Sequence, residues 1–135
     1  DRAEQGHVGG EGSADRVSEK GSAVVEFALV VPIVLALILG LVEVALVART
    51  QLEVVNAARE GARQAAASPD PADAARAARN VLGENGSLAR VSVRRPDVVG
   101  ELAEVRVIVP YRVVAPLFGG VAVEIAARSA MRVEQ

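Results

Sequence analysis

From Phe27 to Val42 the chain reads FALVVPIVLALILGLV, and after Glu43 the apolar run resumes through Ala48. Between Ser22 and Ala48, 27 residues carry only two charges, Glu26 and Glu43. As a helix this stretch is roughly 40 Å long, more than the ~30 Å hydrocarbon core of a bilayer requires. A helix apolar on every side needs either lipid or a larger protein around it. A secretory signal usually has a shorter apolar region followed by a small-residue cleavage site. The segment therefore predicts a transmembrane helix over 22–48. Pro32 lies inside it, where it removes one ladder hydrogen bond and kinks or loosens the helix.

Ahead of the span, residues 1–21 are polar and contain Gly6, Gly9, Gly10 and Gly12 among mixed charges. So little apolar surface cannot offset ordering entropy, and a disordered leader is expected. The chain begins at Asp1 rather than Met, which is compatible with a natural start upstream. The single histidine, His7, sits in this leader, and there is no cysteine. A disulfide framework, a thiolate zinc site and a cysteine nucleophile are thereby excluded. The 15 basic and 17 acidic residues are spread along the chain, and the only aromatics are Phe27, Tyr111 and Phe118. Nucleic-acid binding would want a basic face, with stacking rings for a single strand. Neither a cofactor, a metal nor a small-molecule substrate is expected.

The 87 residues from Arg49 onward can build one small domain. A helix is expected over 49–67, with Leu52, Val55, Ala58, Ala62 and Ala65 on one stripe. Arg49 and Glu53 form a favourable i,i+4 pair, while Arg59 and Arg63 face outward. Ala57, Gly61 and Ala65 recur every fourth residue, as do Ala58, Ala62 and Ala66. Small residues at that period let another backbone approach closely, although alanine's helix propensity explains them equally well. Ser68-Pro69-Asp70-Pro71 should stop this helix and start a second over 70–82, with Asp70 as N-cap, Pro71 at the first position and Asp73 at the positive end. Gly83 ends it, and 84–87 follow as a turn. Asn85-Gly86-Ser87 matches a glycosylation sequon, a triplet common by chance. Strands are expected at about 88–94, 103–114 and 121–133 from their period-two alternation. Pro96-Asp97 and Gly119-Gly120 fall in the connections. In the last strand Val121, Val123, Ile125, Ala127 and Met131 share one face. The expected fold is α+β and pilin-like: a long N-terminal helix extends into a small domain with a short helix and a three- to four-stranded antiparallel sheet.

The boundary between leader and span carries the most information. Lys20 and Gly21 precede Ser22, Ala23, Val24 and Val25, then Glu26 and Phe27. Glu26 is an ionisable group inside the start of a membrane helix, at a cost of a few kcal/mol unless partnered. Cleavage after Gly21 would create an amine on Ser22 able to neutralise Glu26 of this subunit or of a neighbour. Glu26 could instead lie at headgroup depth and reach water. Glu43 is interfacial rather than catalytic. Residues 21–66 resemble the TadE-like family of tight-adherence (Tad) pilus proteins through Gly21, Glu26, Phe27, Pro32, Gly40, Glu43 and the string Asn56-Ala57-Ala58-Arg59-Glu60-Gly61-Ala62-Arg63. The ending Ser129 to Glu134 is similar as well.

That resemblance implies a minor pilin or pseudopilin supporting assembly of a thin adhesive pilus, not an enzyme. Gly21 and Ser22 would flank the bond cut by a prepilin peptidase, with Glu26 and Phe27 completing the processing site. Helix packing would fall to Pro32, Gly40, Ala57, Ala58, Gly61, Ala62 and Ala65. The implied partners are the membrane, the peptidase, other pilin-like subunits and Tad assembly proteins. Phe27, where major pilins of this system usually carry tyrosine, and the long C-terminal domain indicate a minor component. The bacterial inner membrane, an inside N-terminus and an extracytoplasmic domain follow from the resemblance. Arg16 and Lys20 against Arg49, Arg59 and Arg63 give the positive-inside rule no preference. The alternative is an unprocessed membrane-anchored binding module. A tethered enzyme would have to use carboxylates such as Glu101, Glu104 and Glu124, which alternate with valines as solvated strand residues do.

Overall fold

The computed structural model describes residues 11–113 and 120–134, as backbone alone over 11–20. His7, Val114 and Phe118 lie outside the described residues. The element order is α1 (Glu11–Ala67), α2 (Pro71–Leu82), a 3-10 turn (Gly83–Ser87), β1 (Arg90–Arg94), β2 (Leu102–Arg112) and β3 (Ala122–Arg132). The chain divides into two units, Asp1–Leu39 and Gly40–Gln135.

In the first unit α1 begins at Glu11, within the stretch read from the sequence as a leader. Extending a helix that already exists adds one hydrogen bond per residue fixed and avoids the cost of nucleation. Pro32 lies within the helix. Nothing covers the apolar side chains here: Val24, Phe27, Leu29, Ile33 and Leu37 are all exposed. One helix is long and apolar enough to cross a membrane, and none of its apolar window is buried within the chain. Among the described residues the chain thus carries a single candidate membrane anchor.

The second unit starts at Gly40, earlier than the expected boundary at Arg49. Glu43 and Val47 explain the difference, because both are half-buried on the domain and Val47 packs against its core. Thr50 Oγ1 donates to the Leu46 carbonyl at 3.1 Å, returning its hydroxyl to the helix backbone where the apolar run ends.

From Val54 onward α1 buries Val54, Ala57, Ala58, Gly61, Ala62, Ala65 and Ala66. The expected stripe holds at Ala58, Ala62 and Ala65 but not at its start, where Leu52 is exposed and Val55 only half-buried. Alanine occupies so many positions that several faces are equally apolar, and the tightest-packing face wins. α2 has the expected cap, with the Asp70 carboxylate accepting from the Ala72 backbone N–H at 2.8 Å. It buries Ala74, Ala78 and Leu82 at four-residue spacing and stops at Gly83, whose φ of 56° is the left-handed region that favours glycine. Residues 84–87, expected as a turn, complete a 3-10 helix.

The sheet is antiparallel in the order β1-β2-β3. Its strands start and stop within two residues of expectation where described. Pro110 sits past the last β1 pairing, Arg90 with Ile108, where β2 has a neighbour on the β3 side only. Ala103, Val105, Val107 and Val109 of β2 are buried and form the centre of the core. On β3 only Ile125 is fully buried, while Val121, Val123 and Met131 remain exposed, against the even apolar face expected there. The helices pack against β2 at Val105 and against β1.

Candidate processing site and packing face

Gly21, Ser22, Glu26 and Phe27 are helical and exposed, and a Cβ on Gly21 would meet nothing. One helical turn puts Ser22 beside Glu26, and the Ser22 hydroxyl donates to Glu26 Oε1 at 3.4 Å. Phe27 points away from any protein contact. These four residues are therefore accessible on the surface of the helix.

The residues singled out for helix packing fall into two sets. Pro32 and Gly40 pack against nothing within the chain, since Pro32 is exposed and a Cβ on Gly40 would also meet open space. Ala57, Ala58, Gly61, Ala62 and Ala65, by contrast, are buried inside the domain. Gly61 is the closest approach: a Cβ there would lie 3.0 Å from Val105 Cγ1, 3.2 Å from Ala78 Cβ and 3.3 Å from the Ala74 carbonyl oxygen. The string Asn56 to Arg63 thus presents one face to β2 and α2. Asn56 and Arg59 stay exposed on its other side, and Arg63 pairs with Glu60 through Nε to Oε2 at 2.9 Å. That hydrogen bond holds the Glu60 carboxyl below its ordinary value and raises Arg63.

Sequence reasoning missed two tertiary ties. The Tyr111 hydroxyl donates to Glu43 Oε1 at 3.0 Å, so the second charged residue of the apolar run is held from β2. Burial, and then the hydrogen bond to Glu43 and its charge, push the Tyr111 phenol above its ordinary value. At the other end of α1, Arg95 Nε donates to the Ala65 carbonyl at 2.9 Å and the Glu134 backbone N–H to the Ala66 carbonyl at 3.1 Å. The last turn of α1 has no basic residue of its own, and these donors take the carbonyls that a helix end leaves open. Arg95 stands in the β1–β2 connection, so no local pattern could have announced it.

The solvent face of the sheet is rich in arginine. Arg90, Arg94, Arg106, Arg112, Arg128 and Arg132 are all exposed. Arg90 pairs with Glu124, and Arg128 with Glu104 at 3.6 Å. Arg106 faces Arg128 directly across β2 and β3. A shallow basin of about 310 Å³ opens there, lined by Glu104, Arg106, Ala126, Ala127 and Arg128. Among the described residues no group of three or more His, Cys, Asp or Glu side chains could hold a metal ion.

A family model described as TadE-like protein matches residues 21–63. No curated protein and no solved structure matches the chain. The matched segment begins at the boundary glycine and runs through the string that packs on β2, so this part of the chain is similar to TadE-like proteins. That family is structural rather than enzymatic.

Proposed function

We propose that, with its TadE-like segment at 21–63, the chain is a minor pilin or pseudopilin that supports assembly of a Tad pilus. It is cut after Gly21 by a prepilin peptidase and anchored by residues 22–48 in the bacterial inner membrane. Its N-terminus is inside and its domain extracytoplasmic. The family match carries this reading, because it starts at the expected scissile glycine.

Hydrolysis of the Gly21–Ser22 amide leaves a carboxylate on Gly21 and a protonated amine on Ser22. The new amine lies one turn from Glu26, as the contact between the two side chains already indicates. It can therefore neutralise a carboxylate that would otherwise cost a few kcal/mol at the edge of the hydrocarbon. Cleavage also makes Ser22 the start of α1, and carboxylates are favoured near the positive end of a helix. In an assembled array the same amine can reach Glu26 of a neighbouring subunit. Exposed apolar side chains around Phe27 and Leu37 are free for lipid or for other pilin-like helices.

The test is the N-terminal residue of the protein recovered from its native membrane. A mature chain beginning at Ser22 is expected. An intact leader in a cell with an active prepilin peptidase would overturn processing and leave an anchored binding module.

A further inference from the structure

We propose that the end of the sheet where β2 closes and β3 opens is a second membrane contact, seated on phospholipid headgroups beside the anchor. The inference rests on reading 22–48 as the span and concerns only residues of the second unit.

Tyr111 supplies the depth marker. Its hydroxyl meets half-buried Glu43, and on the faces of α1 turned away from the domain at that level Leu41 is 73% exposed and Val44 65%. Whatever stands level with Tyr111 is therefore level with lipid-facing positions of α1. Tyr111 pairs with Val123 across the sheet, Arg112 with Ala122, and the Val113 backbone N–H donates to the Val121 carbonyl at 3.0 Å. Val121, just ahead of β3, is 53% exposed and Val123 within it 37%, although both are apolar. Arg112 is exposed and has no ion pair among the described residues.

Two exposed valines, a tyrosine and an exposed arginine form the composition that suits the zone between acyl chains and water. The valines reach the uppermost carbons, tyrosine sits with its ring in the boundary, and arginine extends its guanidinium to phosphate oxygens. Exposed Val98 and Val99 lie at the other end of the sheet, where Arg132 Nη1 is engaged with the Gly100 carbonyl at 3.1 Å. Leu102, which opens β2 there, is nine residues from Tyr111, about 30 Å along an extended strand. Continuity with the anchor singles out lipid as the occupant. The sheet end then fixes how the domain stands on the bilayer.

The cysteine-free sequence permits single spin labels at V121C, V98C and L35C in the full chain. The protein is reconstituted in vesicles of phosphatidylcholine and phosphatidylglycerol, and label accessibility to oxygen and to an aqueous nickel chelate is compared. The V121C label should be shielded from nickel at headgroup depth, V98C should be aqueous, and L35C should lie deep. Arg112→Glu should shift V121C towards water, with at least a twofold rise in nickel accessibility. A V121C label as aqueous as V98C, with L35C still deep, overturns the contact and leaves the span intact. An aqueous L35C overturns the span itself, and this contact with it. Label–label broadening at V121C that vanishes on dilution with unlabelled protein would replace lipid by a second copy and also overturn the inference.

Discussion

Gly61 in α1 and Val105 in β2 are so close that a methyl group added to Gly61 would meet Val105 Cγ1 at 3.0 Å. Val105 is fully buried, and the Ala74 carbonyl on the far side belongs to helix backbone, so neither can move aside cheaply. Gly61→Ala gains up to about 1 kcal/mol of helix propensity and loses about 1–3 kcal/mol to overpacking. Net destabilisation of about 1 kcal/mol is expected, read by denaturant unfolding in detergent. Adding Val105→Ala should recover part of the loss in a double-mutant cycle. Gly86→Ala should cost more, because its Cβ would collide with the Arg79 carbonyl, a backbone group.

Tyr111→Phe removes the donor to Glu43 and should cost about 1 kcal/mol. The Tyr111 phenol titrates above its ordinary value when folded, so between the unfolded and folded values the native state holds the extra proton. Its contribution is therefore full below about pH 10 and is lost as pH rises through the folded value. The wild type should lose stability in that alkaline window, and Tyr111→Phe should lose less. Thermal unfolding at a series of alkaline pH values reads the difference.

Arg95→Ala leaves the Ala65 carbonyl without its charged donor and should destabilise the domain by about 1–3 kcal/mol. Amide exchange should accelerate first in the last turn of α1. Arg95→Lys should restore only part, since a point charge does not reproduce the planar donor.

Arg106 opposite Arg128 is a like-charge pair across adjacent strands. Replacing Arg106 by Thr should stabilise the domain by about 0.2–1 kcal/mol. Because both side chains are exposed, added salt should shrink the gain. A gain unchanged by salt would mean that threonine acts through strand propensity alone.

The local signals were legible in the sequence because neighbouring residues settle them. Asp70 and Pro71 start α2, Gly83 ends it, and the alternation around Val105 and Val107 sets the centre of the sheet. The start of the buried face of α1 was not legible, because an alanine-rich helix offers several equivalent faces and Leu52 competes with Val54 on composition alone. Nor was the uneven burial of β3, which depends on tertiary packing. The two ties, Tyr111 to Glu43 and Arg95 to Ala65, join residues 68 and 30 positions apart. Only the finished packing brings such pairs together. The boundary residues Gly21 to Phe27 were readable as a motif since they lie within two turns of one helix.

The closely packed face of α1 also governs how the domain responds to temperature. Ala57, Ala58, Gly61, Ala62, Ala65, Ala74 and Ala78 have no side-chain rotamers to lose, so their burial carries little ordering cost. Each also hides little apolar area, and hidden apolar area sets the heat capacity released on unfolding. The domain should therefore unfold with a heat-capacity change below the usual ~12–15 cal/mol/K per residue. Its stability curve should be correspondingly flat, varying little between cold and warm surroundings.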